Sequence, residues 1–205
     1  QATVAMALGV MVLIYPLSRA YDIFPADEMA STIGGVRGGS LQFRFDNEDI
    51  LLDKALERPV FGWGSWGRNR VIDSATGQDI SVTDGAWIIT IGMGGMVGFL
   101  TRFGLLASPL LLLWRYRKRE DMGQETVTLA MMVAINLVDL LPNSTMWPLL
   151  WLCVGSLSGR YEVLRSETRA TVAAARLLDR LARFSRSSSP QGVSRPYSDH
   201  EAPQL

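Results

Sequence analysis

Residues 86–114 form an apolar run longer than one membrane crossing requires. Arg102 is its only charged residue, and it ends directly in Arg115-Tyr116-Arg117-Lys118-Arg119. A helix needs roughly 20 apolar residues to cross the hydrocarbon core. Backbone polar groups in lipid must be satisfied within the segment, so a run like this restricts the chain to an all-α membrane architecture. A basic cluster at the end of a span marks the cytoplasmic side. Gly92, Gly94, Gly95 and Gly98 crowd the first half of the run. It therefore divides into a reentrant or interfacial segment over 86–97 and a transmembrane helix over 98–114. An arginine in hydrocarbon costs about 2.5–3.5 kcal/mol on insertion scales, which places Arg102 near the outer interface or facing the protein interior.

The other apolar runs extend this pattern. Residues 2–17 make a short one; as a helix it rises only about 24 Å against a core of roughly 30 Å. It reads as a truncated transmembrane helix over 1–17, with Tyr15 and Pro16 at an interfacial exit. Residues 126–141 and 146–158 flank Pro142-Asn143-Ser144-Thr145 and read as a transmembrane hairpin over 126–159, its turn outside, with Asp139 at the interface or facing a cavity. The cytoplasmic loop is then 115–125. The result is an all-α membrane protein with about four transmembrane helices of a larger polytopic bundle, the earlier spans preceding Gln1. Its large extracytoplasmic loop, 18–85, contains short helices. Arginines interleaved with Leu164, Val172, Leu178 and Leu181 make 160–184 a basic amphipathic helix on the cytoplasmic surface, attracted by anionic membrane lipids. The Ser-, Pro- and Gln-rich stretch 185–205 is expected to be a disordered tail.

Charge and rare residues narrow the chemistry. The chain carries 20 Lys+Arg and 20 Asp+Glu, a formal net charge of zero. That balance excludes nucleic acid as the main partner. Its one cysteine, Cys153, lies in an apolar run, and its one histidine, His200, lies in the tail. No intramolecular disulfide, histidine-based metal site or histidine triad is available. The carboxylates of the loop are scattered, so neither a metal nor a cofactor is expected.

The loop itself is organised by its turns. Residues 34–40 read as a flexible glycine segment around Arg37, either a hinge or a cradle of amides near a phosphate. Asp46 is placed to cap a helix, with Asp49 adding favourable charge in its first turn. Ile50, Leu51, Leu52, Ala55 and Leu56 give that helix an apolar face. Pro59 ends it at Arg58. Gly62, Gly64 and Gly67 then alternate with Phe61, Trp63 and Trp66, a tight turn whose rings suit a membrane interface or a sugar face.

Arg44, then Leu51 and Leu52, then Pro59-Val60-Phe61-Gly62-Trp63-Gly64 follow one another at a particular spacing. Val82-Thr83-Asp84-Gly85 then precedes the glycine-bearing apolar run. Over 37–115 this resembles the O-antigen ligase and polysaccharide polymerase family of membrane proteins. Glu48 stands where that family often has an aromatic residue, and Asp84-Gly85 where it often has His-Asn. The resemblance implies a multi-pass protein of the bacterial inner membrane. It implies transfer of a glycan from an undecaprenyl-diphosphate carrier to a hydroxyl of an acceptor glycan or lipid. Arg44 is the first candidate for stabilising the diphosphate, because a guanidinium binds phosphate oxygens bidentately and stays charged. Arg37, Arg68 and Arg70 are candidate ligands beside it, and Trp63 and Trp66 candidate sugar platforms. Asp84 and Glu48 are candidate bases for the acceptor hydroxyl. Against these stand plainer roles: salt bridges from the arginines to Asp46, Glu48, Asp53 or Glu57, and a helix cap at Asp84. A transporter element, or a noncatalytic subunit of a polysaccharide assembly complex, is the competing reading of the whole chain.

Overall fold

The computed structural model describes residues 1–119 and 122–187, which form six helices. They are α1 (Ala2–Ala20), α2 (Ala26–Ile33), α3 (Gly35–Leu56), α4 (Ala86–Trp114), α5 (Gln124–Asp139) and α6 (Pro148–Ser187). The only β-pairing among the described residues is one antiparallel bridge, Ile72 to Asp79. Residues 120–121 and 188–205 lie outside the described residues, and with them His200 and most of the expected tail. The chain divides into two compact units, Gln1–Leu164 and Arg165–Leu205.

In the first unit α1 packs against both α4 and α5, and α3 packs against α2 and α4. Gly9 brings α1 close to α4: a Cβ there would stand 3.2 Å from Leu110 Cδ1. Val12, Trp87, Phe99, Phe103, Leu106 and Leu137 are fully buried between these helices, with the Phe99 and Phe103 rings stacked at 4.8 Å. The opposite faces stay apolar and open, with Val4, Met11 and Ile14 on α1 and Val97, Leu100 and Leu105 on α4. Among the described residues two helices, α1 and α4, are long and apolar enough to cross a membrane.

About four transmembrane helices are expected, and two of the described helices, α1 and α4, are long and apolar enough for that role, while α5 has 16 residues. Several other expectations are corrected. The hairpin's second arm and the basic helix expected at 160–184 belong to one helix, α6, because nothing near residue 159 breaks it. Pro16 does not end α1. It lies buried inside the helix, which continues to Ala20, and Tyr15 is buried too. The glycine segment 34–40 is not a hinge. Gly34 and Gly35 have positive φ and turn the chain out of α2, after which α3 runs straight through Gly38 and Gly39. Gly38 is needed there, since a Cβ would fall 2.5 Å from the Ala30 carbonyl oxygen of α2. Asp46 therefore sits in mid-helix, where it accepts a bond from Gln42 rather than capping a terminus.

The apolar run 86–114 does break, at Gly95 rather than between 97 and 98. Gly95 has φ 62° and ψ −163°, and helix resumes on either side. A break strands backbone donors and acceptors, which must be satisfied elsewhere. The turn after α3 satisfies them. Trp63 and Gly64 donate to the Gly92 and Met93 carbonyls at 2.8 Å. Met96 and Val97 donate to Pro59 and Val60 at 2.8 and 3.2 Å. This docking is backbone against backbone. A Cβ on Gly62 would lie 2.6 Å from Gly95 N, and a Cβ on Gly95 would collide with the Val60 carbonyl. The Pro59-x-x-Gly62-x-Gly64 pattern is thus a plug for the broken helix.

Candidate active site

One face of α3 carries Leu41, Arg44, Phe45 and Glu48, one and two turns apart as the helical period dictates. These side chains line a cavity of about 430 Å³, closed by Tyr15, Phe24, Val82, Asp84, Ile88, Val138, Asp139 and Leu141. Its walls are mostly apolar. A second, more polar recess of about 350 Å³ is lined by Arg44, Asp84, Asp139, Asn143, Ser144 and Thr145. Arg44, Asp84 and Asp139 border both spaces.

Local hydrogen bonds hold this mouth in place. Asn47 accepts from the Val82 amide at 2.9 Å, fixing the segment before Asp84 against α3. The Ala86 amide is shared by the carbonyls of Leu140 and Asn143, both at 3.0 Å, fixing the start of α4 to the turn after α5. Asn143 donates to Asp139 at 2.8 Å. Asp84 does not cap α4; Gly85 holds that position, with no side-chain cap bond. Instead Asp84 Oδ2 lies 3.9 Å from Arg44 Nε, with about 41% of the arginine side chain and 46% of the aspartate exposed. At that distance the pair attract but do not share a hydrogen bond. Among the described residues no hydrogen bond occupies the N–H fork of the guanidinium, which leaves it for another acceptor.

Glu48 has a different setting. It is buried, and both oxygens are engaged: Tyr15 donates to Oε2 at 2.9 Å and Trp87 Nε1 to Oε1 at 3.1 Å. Arg19 Nε makes an ionic contact with Oε2 at 3.5 Å. Burial pushes the Glu48 carboxyl above its ordinary range, and the bonds from Trp87 and Tyr15 and the Arg19 charge oppose that rise. Glu48 thereby ties α1, α3 and α4 together. Arg19 is itself buried and donates to Asp49 at 2.5 Å and to the Phe45 carbonyl at 3.2 Å, with the Phe45 ring 5.2 Å away. Asp49 therefore pairs with Arg19 instead of supporting a helix start.

The other arginines expected beside Arg44 do not join it. Arg37 is exposed in the first turn of α3, and Arg68 is exposed in the glycine turn. Arg70 pairs with Asp79 at 2.8 Å and lies 5.6 Å from the Trp66 ring. Among the described residues, none of the three lines the cavity or its recess. Trp63 is no open platform: Lys54 and Arg58 stack over its ring at 3.9 and 4.3 Å, and its Nε1 donates to the Lys54 carbonyl. Trp66 is exposed. Arg102 faces the protein, donating to Thr90 Oγ1 at 3.3 Å.

Two residues of the mouth and its support carry weak sequence signals. Asp139 is a lone acid at the end of an apolar run, which marks a boundary without naming a partner. Arg19 is the first charge after α1's apolar residues and reads as solvated until α3 folds over it. Comparison with protein-family models, with curated proteins and with solved structures finds no match for the chain.

Proposed function

We propose that the chain is the catalytic portion of a membrane glycosyltransferase that moves a glycan from a polyprenyl-diphosphate carrier to an acceptor hydroxyl. The observation that carries this reading is the position of Arg44, a cation with free N–H donors between an apolar cavity and a polar recess. Such a boundary suits an amphiphile whose tail enters the apolar space and whose headgroup stays in the polar one.

The chemistry follows from charge. As the bond from the anomeric carbon to the diphosphate oxygen breaks, that oxygen takes the electron pair. Arg44, carried by α3 at the mouth of the cavity, meets the charge growing on that oxygen and so stabilises the transition state more than the ground state. The acceptor oxygen bonds to the anomeric carbon, and its proton passes to Asp84. Asp84 is preferred to Glu48 as base because no hydrogen bond from the described residues occupies its carboxylate. Asp139, across the mouth, orients the acceptor through its remaining oxygen. Arg37, Arg68 and Trp66 are proposed only for the distal glycan. A bacterial inner membrane, with the loop on its outer side, is the location this reaction requires.

Incubating the protein in membranes with an undecaprenyl-diphosphate glycan and candidate acceptors, then weighing the products, tests the proposal. Transfer with release of the carrier diphosphate supports it; an untouched donor with every acceptor contradicts it.

The break at Gly95 favours a second reading, a transporter element, because interrupted helices recur in transporters. Solute flux through proteoliposomes without any glycan transfer distinguishes the two.

A further inference from the structure

The second unit holds the far end of α6, and its side chains sort by face. Ala170, Ala174, Leu177, Leu178 and Leu181 fall within about 100° of one another on a helix of 3.6 residues per turn. Arg169, Arg176, Arg180 and Arg183 fall on the side away from them. Leu177, Leu178 and Leu181 are 59%, 67% and 56% exposed. Arg183 pairs with Asp179 at 2.8 Å. Asp179 is the only carboxylate between 169 and 183, so this stretch is net positive.

Such a face needs an occupant. A coiled coil requires an apolar seam sustained over about 3–4 heptads. Here the seam from Ala170 to Leu181 is shorter than two heptads, and Leu178 broadens it. A wide apolar stripe backed by arginines fits the boundary of an anionic bilayer: the leucines enter the acyl region and the arginines reach the headgroups. Among the described residues the first unit carries two helices long and apolar enough to cross a membrane, which favours a bilayer over a soluble partner as the occupant of this face. We infer that residues 169–183 of α6 lie in the plane of an anionic lipid surface, with Leu177, Leu178 and Leu181 buried in it and Arg169, Arg176 and Arg180 holding acidic headgroups. This goes beyond glycosyl transfer and does not depend on it.

The test uses the full chain in lipid vesicles, with Cys153→Ala removing the one native thiol. An environment-sensitive fluorophore is attached at Leu178→Cys or, on the arginine side, at Val172→Cys. Nitroxide-labelled acyl chains serve as the quencher. In vesicles with about one-third phosphatidylglycerol, the label at 178 is expected to be quenched and the label at 172 not. Each arginine near such a surface multiplies docking roughly fivefold. The combined Arg169→Gln, Arg176→Gln and Arg180→Gln variant, or salt at about 1 M with the arginines intact, should therefore release the 178 label. The salt arm stands even if the triple variant folds poorly. Three results overturn the inference: no quenching at 178, equal quenching in pure phosphatidylcholine at any salt, or energy transfer between 178 labels on different chains without lipid quenching. The last would assign the face to a second copy.

Discussion

Tyr15 donates its hydroxyl to Glu48 across a separation of 33 residues, at 2.9 Å, joining the end of α1 to the middle of α3. Trp87 binds the other oxygen of the same carboxylate, and its ring meets the Tyr15 ring edge-on at 5.1 Å. Glu48 is thereby the acceptor on which three helices converge, behind the cavity that Arg44 and Asp84 border.

Removing that acceptor should destabilise the fold. Glu48→Ala leaves the Tyr15 and Trp87 donors buried without a partner and strips one carboxylate from Arg19. The expected loss is about 2–5 kcal/mol, the scale for breaking a buried charged network. Glu48→Gln keeps an acceptor for Trp87 and should lose less. Chemical denaturation in detergent measures both, and equal stability of all three proteins would remove Glu48 from this role.

The same residue sets a pH dependence. Its carboxyl is raised by burial above the ordinary 4.5, so the folded protein holds this proton more tightly than the unfolded chain. The contribution to stability is full below 4.5 and declines as pH rises through the raised folded value. Melting temperatures of the wild type should carry this fall as pH rises above the ordinary 4.5. Glu48→Gln should lack it. A wild-type slope of opposite sign that Glu48→Gln abolishes would contradict the assignment.

The plug in the broken helix makes a sharper comparison, because neighbouring glycines differ. Gly95→Ala places a methyl group on the Val60 carbonyl at positive φ, and Gly62→Ala places one against Gly95 and Met93. Each should cost at least about 1–3 kcal/mol and loosen the docked turn. Gly94→Ala meets nothing within 4 Å and should be neutral or gain about 1 kcal/mol from helix propensity. Thermal melts with limited proteolysis at the 59–64 turn read the difference; equal effects at 94 and 95 would refute the plug.

The residues show why part of this was legible in the sequence and part was not. Pro59, Gly62, Gly64 and Gly67 announce a turn because proline fixes φ while glycine, without a Cβ, takes positive φ freely, and positive φ at Gly62, Gly64 and Gly67 is what the structure has. Glycine crowding likewise signals a disturbance in 86–114, but the count of glycines does not choose among them. Gly95 breaks because the turn at 59–64 approaches it from a distant part of the chain. The run at 34–40 misleads for a related reason. Low helix propensity suggests a hinge, and packing of Gly38 on Ala30 overrides it, as tertiary contacts often do. Arg44 and Asp84 stand out in the sequence through the resemblance carried by residues 37–115, and Asp84 also as the last charge before the apolar run 86–114. Their approach, Asp139 beside them, and the dispersal of Arg37, Arg68 and Arg70 depend on how α3, α4 and α5 meet, which no local pattern encodes.

The central claim is that Arg44, at the junction of the apolar cavity and the polar recess, carries the charge that develops on the leaving diphosphate. Single-turnover transfer from an undecaprenyl-diphosphate glycan by membrane-reconstituted Arg44→Ala and Arg44→Lys, under saturating donor, measures this most directly. Arg44→Ala should be slower than wild type by about 10²–10³, the effect of losing one preorganised donor, with Arg44→Lys only partly restored. Wild-type rates in Arg44→Ala, from protein that melts at the wild-type temperature, would contradict it.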